Sequence, residues 1–257
     1  MQPGFDIRPT ENPMGFAYGP GVFGPEVENR SLDAIRKSLR DPACSGPDPV
    51  YAIAMDVGRE SDREAMLARN LLFGVVTYAR GRLGEEPVRS QGHVHAVSPS
   101  CNASTPEVYE IWSGRAVILM QERDGDDPGR CFAVEAEPGQ VVVVPPGWAH
   151  ATISADPERP LTFGAWCVRD FGFDYRGVRA HGGLAWFPLL DEAGGLRWLH
   201  NDAYAPAPFI CKAPQGYPQL GIEPGVPIYT QFAEEPDRFL FVSHPQQKEE
   251  AWKNFLP

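Results

Sequence analysis

The 257-residue chain is 42% hydrophobic, 11% aromatic and 22% charged, the proportions of an ordinary folded globular protein, which excludes a disordered or fibrous chain. Acidic residues outnumber basic ones by 34 to 23, a formal net charge of -11, so a polyphosphate backbone meets a repulsive mean field and nucleic acid is not an expected partner. No window approaches the roughly 18 apolar residues of a membrane span, and Met1 to Thr10 carries no basic-then-apolar leader pattern, so the expected location is the cytoplasm, away from membranes.

The N-terminal region begins with a Pro- and Gly-rich arm and then gives one helix, SLDAIRKSLR, where Ser31 caps and Leu32, Ile35 and Leu39 share a face. From Val50 the texture changes. YAIAMDV and LLFGVVTYA are apolar runs rich in β-branched and aromatic residues, separated by the helix-compatible ESDREAMLARN. Between Arg89 and Val168 strand candidates follow at short spacing with turn residues between them: RSQGHVHAV, EVYEIW, AVILMQE, CFAVEA, VVVVP, HATIS and LTFGAWCV. That rhythm marks an all-β sandwich or barrel rather than βαβ units. GGLAWFPLLDEAGGLRWLH reads as a further hairpin turning at Gly194-Gly195, Ala205 to Pro227 as Pro-rich loop, and KEEAWKNF as a terminal helix. The expected organisation is an N-terminal arm and helix over residues 1–47, a β-barrel over 48–177 and a C-terminal extension over 178–257 packed on the barrel. Five cysteines without a C-x-x-C pair argue against a disulfide framework and read as buried reduced thiols.

Chemistry concentrates on three strands. Alternate strand residues share a face, so His93 and His95 in Gly92-His-Val-His project the same way, a geometry for gripping one metal ion. Glu107 and Tyr109 share a face of the next strand, and His150 follows the tight corner Val144-Pro-Pro-Gly-Trp148, which aims its imidazole into the barrel mouth. Three imidazoles and one carboxylate suit iron, manganese, nickel, cobalt or zinc better than calcium and leave octahedral positions for substrate oxygens. His181, His200 and His244 lie outside this pattern and read as solvated or hydrogen-bonded side chains. Trp112, Trp148, Trp166, Trp186 and Trp198 read as core filling.

The runs GHVH, PEVYEIWSG, PGQVVVVPPGWAHATIS, DPERPLTFGAW and FDY resemble the cupin-type glucose-6-phosphate isomerases best known from archaea, whose pattern is T-x-G-H-x-H, E-V-Y, V-P-P-x-W-A-H and H-D-Y. The resemblance spans roughly Val50 to Tyr175. It implies a cupin double-stranded β-helix, a jelly-roll-like barrel decorated at both ends with segments that include short helices, and assembly as a homodimer. It also implies one divalent metal ion held by His93, His95, Glu107 and His150, and interconversion of glucose 6-phosphate and fructose 6-phosphate. Three departures stand out. Glu107 follows His95 by 12 positions, several more than is usual in the family, so the rim is reshaped by AVSPSCNASTP. The usual threonine is Ser90, and the histidine of H-D-Y is Phe173. The chain after about Gly177 has no counterpart in the short archaeal enzymes.

For such an isomerase Glu107 is a metal ligand or a base, with the ligand role favoured because three histidines need its charge. Tyr109 orders a substrate hydroxyl or fills the barrel, and Tyr175 is the partner that the resemblance implies. Tyr51, Ser90 and Gly92 match family positions around the phosphate, and Arg89 lies nearby in sequence as a candidate cation. Isomerisation of another sugar phosphate and a cupin oxygenase acting on a small molecule are the alternative readings.

Overall fold

The computed structural model describes residues 3–257, so the first two residues of the expected N-terminal arm lie outside it. Twelve strands make the frame. In chain order they are β1 (Glu28–Arg30), β2 (Tyr51–Met55), β3 (Leu71–Tyr78), β4 (Val94–His95), β5 (Glu107–Ser113), β6 (Ala116–Gln121), β7 (Cys131–Ala136), β8 (Val141–Val144), β9 (Ala149–Ser154), β10 (Thr162–Val168), β11 (Phe173–Asp174) and β12 (Phe209–Lys212). One six-stranded sheet runs β8-β5-β10-β3-β2-β1, a four-stranded sheet runs β9-β6-β7-β12, and β4 pairs with β11 as a short ribbon. All pairings are antiparallel except β7 with β12. Strand order that jumps along the chain, with two sheets closing on a shared apolar interior, is the jelly-roll-like barrel expected from the strand rhythm.

The alternation of side chains explains why both faces are filled. Along β3, Leu72, Val76 and Tyr78 point into the barrel with Tyr109, Ile111, Ile118, Phe132 and Phe163. Leu71, Phe73 and Val75 point outward, into a second cluster with Trp112, Trp166, Tyr229, Phe232 and Phe239. All eight residues of β3 are therefore buried, which is why its sequence reads as a continuous apolar run. The outward cluster is supplied by the C-terminal extension through the helices Ile228–Glu234 and Leu240–Ser243. Each fully buried aromatic there contributes on the order of 2–3 kcal/mol, so the extension is part of the fold's stability. A third cluster, including Val117, Leu119, Ile153 and Leu184, covers the other sheet with the hairpin Trp186–Leu190 and Leu196–His200.

Several elements differ from the sequence expectation for identifiable reasons. The helix after Ser31 forms its cap, with Ala34 N–H donating to Ser31 Oγ at 3.3 Å. It then tightens into a 3-10 turn at Arg36–Ser38 and stops at Leu39, whose backbone is extended, and the following Arg40 N–H donates to Glu86 Oε2 at 2.9 Å. The expected strand RSQGHVHAV is regular only at Val94–His95, since Gly92 sits at φ +88° and breaks the extended run. The Pro-rich stretch contains β12, the parallel edge strand of the smaller sheet. The arm and the extension thus each lend a strand to the barrel sheets. Of the cysteines, Cys44, Cys131 and Cys167 are buried, whereas Cys101 is half-buried and Cys211 is exposed on β12, which corrects the reading of all five as interior.

Candidate metal centre

The site forms where β4, β5 and β9 meet. His93 and His150 exchange both backbone hydrogen bonds, His93 N–H to His150 O at 3.0 Å and His150 N–H to His93 O at 2.9 Å, which locks the two segments side by side. Their rings lie 4.4 Å apart, and the His95 ring is 5.3 Å from His93 and 5.2 Å from His150. Glu107 opens β5 opposite them. One ligand atom from each of His93, His95, Glu107 and His150 falls within 4.8 Å of the others.

The hydrogen-bond inventory tests whether a metal belongs there. His95 Nδ1 lies 2.9 Å from the carbonyl oxygen of Thr105, and His150 Nδ1 lies 3.1 Å from that of Trp148. A carbonyl only accepts, so each Nδ1 carries the hydrogen, and a neutral ring then presents a lone pair at Nε2. Those two Nε2 atoms face Glu107 Oε2 at 3.1 and 3.2 Å. Lone pairs opposed to a carboxylate oxygen in a buried site repel unless a proton or a metal ion lies among them. His93 Nε2 is buried and has no partner at all. Burial, and then the adjacent His150 and His95, push the His93 imidazole well below its ordinary value, so it stays a neutral donor. Burial opposes ionisation of Glu107, but hydrogen bonds donated by His150 and His95, when a proton sits where a metal ion would, outweigh it and hold the carboxyl well below the usual range. Three imidazoles and one carboxylate are the donor set of a divalent transition metal or zinc, and these residues fit it.

Two further side chains orient Glu107. Tyr109 Oη donates to Oε2 at 2.7 Å, and Cys167 Sγ donates to Oε1 at 3.3 Å. Burial followed by the Glu107 charge pushes both the phenol and the thiol well above their ordinary values, so both keep their hydrogens.

A cavity opens from the cluster into the barrel. Of the residues singled out from sequence, His93, Glu107, Tyr51, Ser90, Tyr109 and Tyr175 border it. Gly92 does not line it but makes the positive-φ turn that delivers His93. Arg89 is not brought to the cavity. Its guanidinium is buried and saturated: Nε donates to Glu86 Oε1 at 2.8 Å, Nη2 to Ser38 O at 2.6 Å and Nη1 to Ser90 O at 3.0 Å. Phe173 packs against His93 with ring centroids 4.4 Å apart, so it acts as an apolar plate on the imidazole. His181 and His200 pair with Asp126 and Asp202 at 3.0 and 3.3 Å, and His244 with Ser243 at 2.9 Å, away from the cluster.

The lining also includes Arg30, Tyr78, Gln91 and Thr152, which sequence reasoning missed. A signal existed for two of them. Thr152 stands two residues after His150 and Gln91 two before His93, on the faces that the period of two assigns to the site. Arg30 had no local signal, because cross-strand register alone brings it to the barrel.

A family model described as glucose-6-phosphate isomerase (GPI) matches residues 31–207, which include all four ligand residues. The chain belongs to the glucose-6-phosphate isomerase family. It is 30% identical to the glucose-6-phosphate isomerase of Thermococcus gammatolerans over 177 residues, 67% of this chain and 79% of that one. With the enzyme of Thermococcus onnurineus it shares 33% over 57% of this chain and 66% of that one, and with the enzyme of Pyrococcus furiosus 33% over 51% and 64%. A solved oxalate oxidase structure aligns over 49% of this chain and 54% of its own at 12% identity, with a TM-score of 0.36. The residues of this family member after 207 lie beyond the matched region.

Proposed function

We propose that this chain interconverts glucose 6-phosphate and fructose 6-phosphate at the cavity beside the four-residue cluster. The observation that carries the reading is the conjunction of family membership with four convergent ligand atoms, two of them from residues that line a cavity, His93 and Glu107. His93, His95, Glu107 and His150 would hold one divalent ion. When bound, that ion supplies a Lewis acid that polarises the sugar carbonyl and acidifies the neighbouring C–H.

The chain's own residues do the rest. Glu107 stays ionised and is the only carboxylate among the described lining residues, so it supplies the negative charge of the ligand set. Tyr51, Tyr78, Tyr109 and Tyr175 all border the cavity, and burial raises every one of these phenols, that of Tyr51 to about 12. Tyr51 and Tyr175 therefore present O–H groups that orient sugar hydroxyls without taking up charge, whereas Tyr109 donates to Glu107 and Tyr78 bonds to Ser90 and Thr152. Ile53, Met55, Val76, Phe163 and Phe173 wall the same cavity and exclude water from the carbons between which hydrogen moves. Ser90 sits where a hydroxyl can meet a substrate oxygen, and its Oγ already accepts from Thr152 N–H at 3.0 Å, which fixes its direction. The cytoplasm is the proposed location and a homodimer the proposed assembly, on the strength of the family alone.

The test is a coupled assay on chelated protein reloaded with divalent metal, run with glucose 6-phosphate, mannose 6-phosphate and a pentose phosphate in parallel. Conversion of glucose 6-phosphate in preference to the others supports the reading. Turnover of a different sugar phosphate alone, favoured by the reshaped loop after His95, replaces the substrate, and no turnover of any overturns it.

A further inference from the structure

The sugar-phosphate reading, on which this inference rests, gives the phosphate neutral partners at Tyr51 and Ser90 but no cation. A phosphate monoester brings close to two negative charges at neutral pH. In that reading the reacting carbons lie at the four-residue cluster, so the phosphate lies at the other end of the cavity, and Arg89, the cation that sequence placed nearby, is spent on Glu86 and two carbonyls. Arg30 is the only lysine or arginine on the lining.

Register places it there. Arg30 lies opposite Tyr51 on β2, and Tyr51 lies opposite Tyr78 on β3, so the three side chains share the interior face of the sheet. The Tyr51 and Tyr78 rings stack at 4.9 Å, and Tyr51 also contacts the Arg30 guanidinium. Tyr175 bridges the two ends of the cavity, its ring 5.9 Å from that of His93 and its hydroxyl within the field of Arg30. The guanidinium is under-used: Nε is buried without a partner, and Nη2 meets Glu28 Oε1 at 2.7 Å. The Glu28 carboxylate is 63% exposed, the kind of pair that a dianion displaces readily.

We propose that Arg30, carried on the edge strand Glu28–Arg30 of the N-terminal arm, binds the substrate phosphate at the outer end of the cavity and sets the requirement for a phosphorylated sugar. The carbonyl end of the hexose then lies toward His93 and Glu107, with Tyr175 along its length and Tyr51 beside the phosphate. Glu28 is the counter-ion that the phosphate replaces.

The experiment compares wild type with Arg30→Met, reading KM and kcat for glucose 6-phosphate, competitive inhibition by inorganic phosphate, and metal content. Arg30→Met is expected to raise KM and the phosphate inhibition constant about 10- to 100-fold, more than it lowers kcat, with metal content unchanged. Should that variant fold poorly, Arg30→Lys is read instead, with a weakening of about 3- to 10-fold expected because one ammonium replaces a fork of donors. Wild-type KM and phosphate inhibition in either folded variant overturn the proposal. If wild type turns over no sugar phosphate, the parent reading fails, and calorimetric titration of inorganic phosphate into both proteins still decides the role of Arg30: equal affinity refutes it.

Discussion

At the scale of single residues, His93 is the side chain whose chemistry depends most on what fills the centre. Its Nε2 is buried and unpartnered, an arrangement that costs the metal-free fold about 1–3 kcal/mol. His93→Leu is therefore expected to raise the melting temperature of metal-stripped protein by about 2–6 °C, while abolishing the further rise that divalent metal gives to wild type. Differential scanning calorimetry with and without metal checks both halves, and a fall in metal-free stability contradicts the account. Cys167 acts one bond further out. Its thiol holds Glu107 Oε1, leaving Oε2 to face the imidazoles, so Cys167→Ala should weaken metal affinity about tenfold without changing stoichiometry, as read by competition with a chromogenic chelator. The four candidate ligands were legible because period-two alternation and a chelating spacing mark His93 and His95, and the family-like motifs mark Glu107 and His150. Cys167, 60 residues from Glu107, carries no such mark and was read only as a buried thiol.

At the scale of elements, the two faces of β5 have separate duties. Glu107 and Tyr109 serve the cavity, whereas Glu110 and Trp112 face outward beneath the extension. Glu110 is fully buried, accepts from Ile228 N–H and Trp112 Nε1–H at 3.0 Å each, and is pushed up to about 7 by burial. A carboxyl raised on folding binds its proton more tightly in the native state, so stability is highest below the unfolded value near 4.5 and falls as pH rises through about 7. The component amounts to at most about 3 kcal/mol. Glu110→Gln should flatten that fall between pH 5 and 8 in denaturant unfolding, and an unchanged slope rules it out. Strand existence was readable from sequence wherever apolar residues ran together, as in β3, β5 and β10. The strand β12 was hidden by its Pro-rich flanks, and the 88–93 segment by a glycine whose positive φ only the tertiary structure reveals.

For the molecule as a whole, the barrel places its ligands and the flanking segments complete it. The extension seals the outer face of the larger sheet with Tyr229, Phe232 and Phe239 around Trp166, and the arm supplies β1 with Arg30. Sequence reading expected the extension to pack on the barrel but not which residues seal it, since Tyr229 and Phe232 meet Trp166 more than 60 residues away, and the strand of the arm carried no pattern of its own. The most direct measurement is a titration of chelated protein with divalent metal, following bound metal and glucose 6-phosphate isomerisation together. Activity that rises in proportion to metal and saturates at one ion per chain is the predicted result. Full turnover by the metal-free protein, or none once one ion per chain is bound, would contradict the account.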